Sequence, residues 1–309
     1  MERNKNGSNV IVKNRAEILF LYDVSWANPN GDPVDENKPR IDPETGINIV
    51  TDARLKRTIR DYWDKYKGLN VFIKEIREPD GSRRTKERRL DDFKDPVSEC
   101  IDIRVFGATV AVKNKTLTYT GPVQFKFGYS LHKVDLTFVK GTTVMPSGEG
   151  KEAGTFTERY VLPYSLIVFY GILNENTAKT QEIPLTKQDV DLLLEAMWLG
   201  TKNLSTGSKI GHCPRLLLCV EYKENSFHIG ELDRHIKLVS SKEETQIRSP
   251  EDFSIDISKL VNVFSENKDK IQKIEYEFDK SIRFVKDGKD ISIQEALREF
   301  PAEKMNIQK

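Results

Sequence analysis

Cysteine and histidine are scarce in this 309-residue sequence, with three of one and four of the other. Cys100, Cys213 and Cys219 are odd in number and lack C-x-x-C spacing, which argues against a disulfide framework or a zinc knuckle. His132, His212, His228 and His235 show no H-x-x-x-H pairing, so no metal or other cofactor is expected. Net charge is scarce too: 49 Lys and Arg against 48 Asp and Glu leave +1. Bulk charge therefore draws the chain neither to nucleic acid nor to a membrane, and any such affinity has to come from local patches. No apolar run approaches the ~18 residues of a spanning helix, and the polar stretch Met1–Asn9 has no hydrophobic signal core. The expectation is a soluble, cytoplasmic protein with no membrane partner. Enzyme signatures are missing as well: no P-loop (Gly207–Lys209 has the wrong order), no G-x-S-x-G elbow and no cysteine in a nucleophile context.

What is present reads as α+β. Glu17–Trp26 is a near-continuous apolar run closing on a turn signal, the pattern of a buried central strand. A long loop, Ala27–Pro43, holds four prolines and an Asn30-Gly31 step, which fix turns and predict an ordered, functional loop. A helix follows over Thr51–Lys67, capped by Thr51 and closed by Gly68. Leu55, Ile59, Tyr62, Trp63 and Tyr66 share its core face, and Lys56, Arg57, Arg60 and Lys67 the opposite one, with Arg54 at its edge. Residues 74–96 read as a surface insertion with a basic run from Arg83 to Arg89. Gly121–Ser130 reads as a strand with Phe125, Phe127 and Tyr129 on one face, and 140–156 as a protruding hairpin or mobile loop. The strand Tyr164–Tyr170 leads to a helix over Lys187–Leu199, with Thr186 as its cap and Gly200 as its C-terminal glycine. A polar, basic loop, Lys202–His212, then feeds the strand Arg215–Tyr222. Short strands and helices fill the last third, where Ser292 and Glu295 have capping-box spacing. No regular βαβ rhythm appears, which favours α+β over a doubly wound sheet.

Three features carry chemistry. Asp32, Asp35 and Glu36 form the one carboxylate cluster suited to acid–base or metal work, and the favoured alternative is that Asp32 and Asp35 cap turns. Arg54, Lys56 and Arg57 crowd the first turns of a helix, where the dipole disfavours cations by ~0.3–1 kcal/mol each. A bound polyanion explains that placement, and a solvated charged face is the alternative. The Lys202–His212 loop repeats the theme: glycines for close backbone approach, Ser205, Thr206 and Ser208 for hydroxyl donors, Lys202 and Lys209 for charge. The Phe125/Phe127/Tyr129 stripe serves either as core or to stack bases. Together these features suggest a single-stranded RNA track on an RRM-like sheet.

Three blocks then carry a resemblance: Trp26–Pro33 (W-A-N-P-N-G-D-P), Pro39–Gly46 and Val50–Tyr62. It continues through Ile101–Gly107, Thr120–Val123, Tyr170–Asn174 and Met197–Tyr222. In order and content these blocks resemble the CRISPR-associated backbone subunit of type I Cascade complexes, the seventh Cas family, in its I-B/I-C branch. The resemblance implies one RRM-like (ferredoxin-like) palm over 1–309, with fingers inserted at 70–95 and a thumb hairpin at 140–160. It implies a non-catalytic protein that forms a filament of copies along one crRNA and presents the guide to target DNA. The large, small and guide 5'-end-binding subunits of the complex would be its other partners. Asn28, Asn30, Arg40, Lys56, Arg57 and Arg60 carry over as RNA contacts. With the residues read from charge and capping, the expected RNA-binding set is those six plus Thr51, Arg54, Lys202, Ser205, Thr206, Ser208 and Lys209. The tip Thr143–Gly148 departs from the I-C pattern and leaves the base-wedging role to Val144 or Met145. The acidic loop from Asn28 to Asp52, six acids against two bases, is suited to face an adjacent copy. Two rival readings differ in class. In one, a target-RNA nuclease of the type III kind uses Asp32 or Asp35; in the other, the chain is a standalone RNA-binding protein.

Overall fold

The computed structural model describes residues 10–112, 115–146, 154–223 and 226–307. Within the expected thumb at 140–160, residues 147–153 and the side chains of Val144 and Met145 lie outside the described residues.

The frame is a sheet with nine strands among the described residues. In chain order they are β1 (Ala16–Ala27), β2 (Ile47–Val50), β3 (Val123–Phe125), β4 (Gly128–Lys133), β5 (Thr137–Pro146), β6 (Gly154–Leu173), β7 (His212–Tyr222), β8 (Ile271–Phe278) and β9 (Ala302–Lys304). They run in the order β9-β8-β7-β1-β6-β4-β2, with β3 and β5 pairing with β6. All pairs are antiparallel except β8 with β9. Helix α1 (Asp52–Lys67) lies in the connection from β1 to β4, and helix α2 (Lys187–Lys202) in that from β6 to β7. Both pack on the same face, against Ile18, Phe20, Tyr22 and Val24 of β1.

The other face is covered as well. Leu19 and Leu21 of β1, with Leu216 and Leu218 of β7, pack under Phe253, Ile255, helix α3 (Ser258–Glu266) with Phe264, and Ile293–Leu297. Ile18, Leu19, Phe20 and Leu21 are all wholly buried, which is why β1 reads as a continuous apolar run rather than an alternation. The expected single-stranded RNA track on an RRM-like sheet therefore does not run across this face, which the C-terminal third covers among the described residues.

Three further expectations change. Gly121–Ser130 is not one strand; β3 and β4 are separate, and their register with β6 slips by one residue between the Phe125–Gly171 and Tyr129–Val168 pairs. Phe125 is core, Phe127 is exposed and Tyr129 is half-buried, so no aromatic stripe forms. Tyr66, placed in the core by its angle, is 57% exposed and stacks on Tyr62 at 5.4 Å. Gly200 does not end α2 but lies inside it, because α1 crosses there. A Cβ at Gly200 would come within 3.1 Å of Tyr62 Cβ and 3.3 Å of the Thr58 carbonyl. The predicted caps hold: Thr51 Oγ1 accepts from the Arg54 amide, Gly68 closes α1 at φ 63°, and Thr186 forms a full capping box with Asp189.

Candidate nucleic-acid interface

The far end of β1 is where most of the expected site residues converge. The loop after β1, the start of α1 and the Lys202–His212 loop meet there through hydrogen bonds. The Asn28 amide donates to the Ser208 carbonyl at 2.9 Å. Asn30 Oδ1 accepts from both the amide and the hydroxyl of Thr51, at 2.9 and 2.8 Å. Asn30 thus ties the N-P-N-G-D-P loop to the N-cap of the helix. Arg40 Nη1 donates to the carbonyls of Gly31 and Asn30 at 2.7 and 3.2 Å, holding the loop in shape from within. Lys209 reaches across to the carbonyls of Asn28 and Pro29. Gly211, at φ 98°, permits the crossing: a Cβ there would lie 2.5 Å from the Ser25 carbonyl.

Two cations stand in this junction without a counter-charge. Arg54 Nη2 donates to the Thr58 hydroxyl at 2.8 Å, and the ammonium of Lys209 is met only by backbone carbonyls. Among the described residues neither forms an ion pair. Burial, and next the Arg54 guanidinium, pull the Lys209 ammonium down to about 8 from the usual lysine range. Burial also lowers the pKa of Arg54. Beside Arg54 lies a cavity of about 10 Å³, room for one water, lined by Tyr22, Arg54, Thr58 and His212 among others. His212 is buried, and burial followed by the Lys209 charge holds it neutral, at about 3. Asn28 Oδ1 is buried and unpaired. Two desolvated cations without a counter-charge make a site that an anion would complete.

The remaining helix cations are engaged elsewhere. Lys56 bonds to Asp52 at 3.0 Å and Gln124 at 2.8 Å, Arg57 to Asp61 at 2.9 Å, and Arg60 to buried Asp102 at 3.0 Å. Lys56 and Arg60 also sit over the Phe106 ring, at 5.5 and 5.3 Å. Lys202, Ser205 and Thr206 are exposed on the rim, whereas Ser208 is half-buried. The carboxylates are turn and pairing groups: Asp32 accepts from the Val34 amide at 3.0 Å and faces Arg40 at 3.6 Å, and Asp35 pairs with Lys38 at 2.8 Å. Glu36 accepts from Tyr160 of β6 at 3.0 Å, which with Lys38 holds its carboxyl below the usual range. No group of three His, Cys, Asp or Glu among the described residues could hold a metal. The basic run Arg83–Arg89 is largely neutralised by Glu75, Glu78 and Asp92.

Residues that the sequence did not single out also belong to the junction. Tyr22 was legible only as a strand residue and His212 only as the end of the basic loop. Arg159 of β6 donates to the Gly207 carbonyl at 3.2 Å, joining the long hairpin to the basic loop, and nothing local in the sequence marks it.

Fold and site together define a mainly antiparallel α+β protein, covered on both sheet faces, with two half-buried cations, Arg54 and Lys209, that form no ion pair among the described residues at one sheet end. A family profile described as CRISPR-associated protein Cas7 matches residues 14–258, and the chain belongs to that family. A curated relative from Haloferax volcanii, named CRISPR-associated protein Cas7, is 32% identical over 298 residues, covering 84% of this chain and 86% of its own. Two solved structures share the fold. One, titled CRISPR RNA-guided surveillance complex, has a TM-score of 0.52 at 12% identity, covering 86% of this chain and 89% of its own. The other, titled CRISPR RNA-guided surveillance complex, pre-nicking, has a TM-score of 0.54 at 13% identity, covering 94% and 96%.

Proposed function

We propose that this chain is a non-catalytic crRNA-binding subunit that oligomerises along a guide RNA, forms the backbone of a type I Cascade complex and presents the guide for pairing with target DNA. The observation that carries the reading is the uncompensated pair Arg54 and Lys209 at the mouth of the junction. A phosphate between them would supply the missing negative charge, and backbone phosphates are a sequence-independent ligand, as a subunit repeated along one guide needs. Thr51, Ser205, Thr206 and Ser208 supply hydroxyls around it, and Lys202 extends positive charge along the rim. The strand–helix order supports a ferredoxin-like palm: β1, α1, β4, β6, α2, β7 in sequence, with spatial order β7-β1-β6-β4. The insertion at 70–95 would be the fingers and the β5–β6 hairpin the thumb, with Val144 or Met145 at its wedge. Guide 5'-end-binding, large and small subunits would be its further partners, in the cytoplasm. The engagement of Asp32 and Asp35 within their own loop supports a non-catalytic role.

The test is to express the full chain with and without a CRISPR array, purify it by size and sequence the RNA it carries. Spacer-containing guides in a high-mass particle are the expected result, lost in an Arg54→Ala/Lys209→Ala double variant. Random cellular RNA on a small particle would overturn the backbone reading.

A further inference from the structure

Trp26 is the last residue of the central strand before its final alanine, and its backbone is in the left-handed region at φ 48°. For a bulky side chain this conformation is disfavoured and persists only where the surroundings hold it. Its effect is visible in the packing. Along β1 the even-numbered residues Ile18, Phe20, Tyr22 and Val24 face the helices, so continued alternation would carry Trp26 into that core. Instead the reversal turns Ala27 into the helix-side core and leaves Trp26 61% exposed. A purely structural strand end would do the opposite, since an indole is a large apolar body to leave in water. The other two tryptophans obey that rule: Trp63 is 0% and Trp198 8% exposed.

Its position fits a ligand. The Ser25 amide donates to the Gly211 carbonyl and the Asn28 amide to the Ser208 carbonyl, at 3.1 and 2.9 Å. Those bonds bracket Trp26 against Lys209 and Ile210, the latter 63% exposed. The backbone of Trp26 thus runs beside the loop whose lysine, like Arg54, has no counter-charge among the described residues, and its indole is exposed there. A ligand that pairs a negative charge with a flat apolar body matches both halves, and a nucleotide is such a ligand. We propose that Trp26 is a stacking platform for one nucleobase of a single-stranded RNA whose adjacent phosphate lies at Arg54 and Lys209. This rests on the RNA-binding reading above. Stacking tolerates any base, because every base has a π face, so the platform adds affinity without sequence preference.

Because Trp63 and Trp198 are buried, quenching of tryptophan emission reports on Trp26. The probes are a short oligouridylate and an abasic ribose-phosphate oligomer of equal length, titrated against the full chain. Oligouridylate is expected to quench emission and the abasic oligomer not to, although both bind. Trp26→Ala should weaken oligouridylate binding about 5- to 150-fold, the range given by stacking of one base, and leave abasic binding unchanged. Trp26→Phe should restore most of the loss, whereas Trp26→Leu, which keeps bulk without a ring, should not. Equal oligouridylate affinity in wild type and the Ala and Leu variants would overturn the proposal. So would a smaller particle with unchanged affinity, which would make the patch a contact between copies. If the wild-type chain binds neither oligomer, the RNA-binding reading itself fails, and the proposal with it.

Discussion

Arg60 on helix α1 reaches Asp102 across 42 positions of sequence, with Nε 3.0 Å from a carboxylate oxygen that solvent does not touch. The same carboxylate accepts from the amides of Phe72 and Ile73, at 2.7 and 3.0 Å. One buried aspartate therefore pins the start of the 70–95 insertion to the helix, and Arg60 is its charge partner.

Arg60→Ala leaves Asp102 buried and uncompensated, and should destabilise the fold by about 3–5 kcal/mol. Urea denaturation checks this. Any loss of RNA binding in this variant should accompany unfolding, so a stable Arg60→Ala chain that fails to bind RNA would return Arg60 to the contact surface.

Arg57 is 52% exposed at its side chain and pairs only with Asp61, one turn away. Arg57→Ala should move stability by no more than about 0.5 kcal/mol. If its guanidinium meets a phosphate, the slope of log affinity against log salt should fall by about one. An unchanged slope would take Arg57 out of the RNA track. Lys56, bound to Asp52 and Gln124 beside the Phe106 ring, should lose stability as well as charge in Lys56→Ala.

Lys209 binds phosphate only as its ammonium, and burial and the neighbouring Arg54 bring its pKa down to about 8. The charged form is thus lost as pH rises through about 8, well before an ordinary lysine near 10.4 titrates. RNA affinity should fall between pH 7 and 9, and Lys209→Arg should flatten that fall because a guanidinium stays charged. Fluorescence titration at fixed ionic strength measures it. The stability sign is opposite: the unfolded chain holds this proton more tightly, so the Lys209 contribution to stability rises from about pH 8 up to the ordinary lysine range near 10.4.

Gly200 sits where α1 and α2 approach most closely, with Tyr62 and Thr58 on the facing helix. Gly200→Leu should force the helices apart at a cost of about 1–3 kcal/mol, visible as a lower melting temperature. Because Thr58 and the adjoining Thr201 line the cavity beside Arg54, RNA affinity should fall with it.

Local chemistry made part of this protein legible. The caps at Thr51 and Thr186 and the glycine at Gly68 depend on groups within a few residues, so the sequence sufficed for both helix starts and the end of α1. The end of α2 was hidden because Gly200 answers to a helix more than 130 positions away. The blocks from Trp26 to Tyr62 were likewise enough to point to the family that the comparisons then showed.

By itself, the sequence determined the α+β class, the buried central strand and the ordered loop that follows it. Periodicity, turn residues and caps act over short range, and they encode such elements directly. Only the tertiary structure decided which cations are free. Lys56, Arg57 and Arg60 look alike along a helical wheel to Lys209 and Arg54 in a list of charges. The first three find Asp52, Asp61 and Asp102, whereas Arg54 and Lys209 meet hydroxyl and carbonyl oxygens alone. It also decided that the second sheet face is closed, because the residues covering it come from the last third of the chain. Charge pairing and burial are relations between distant segments, and they exist only once the chain has folded.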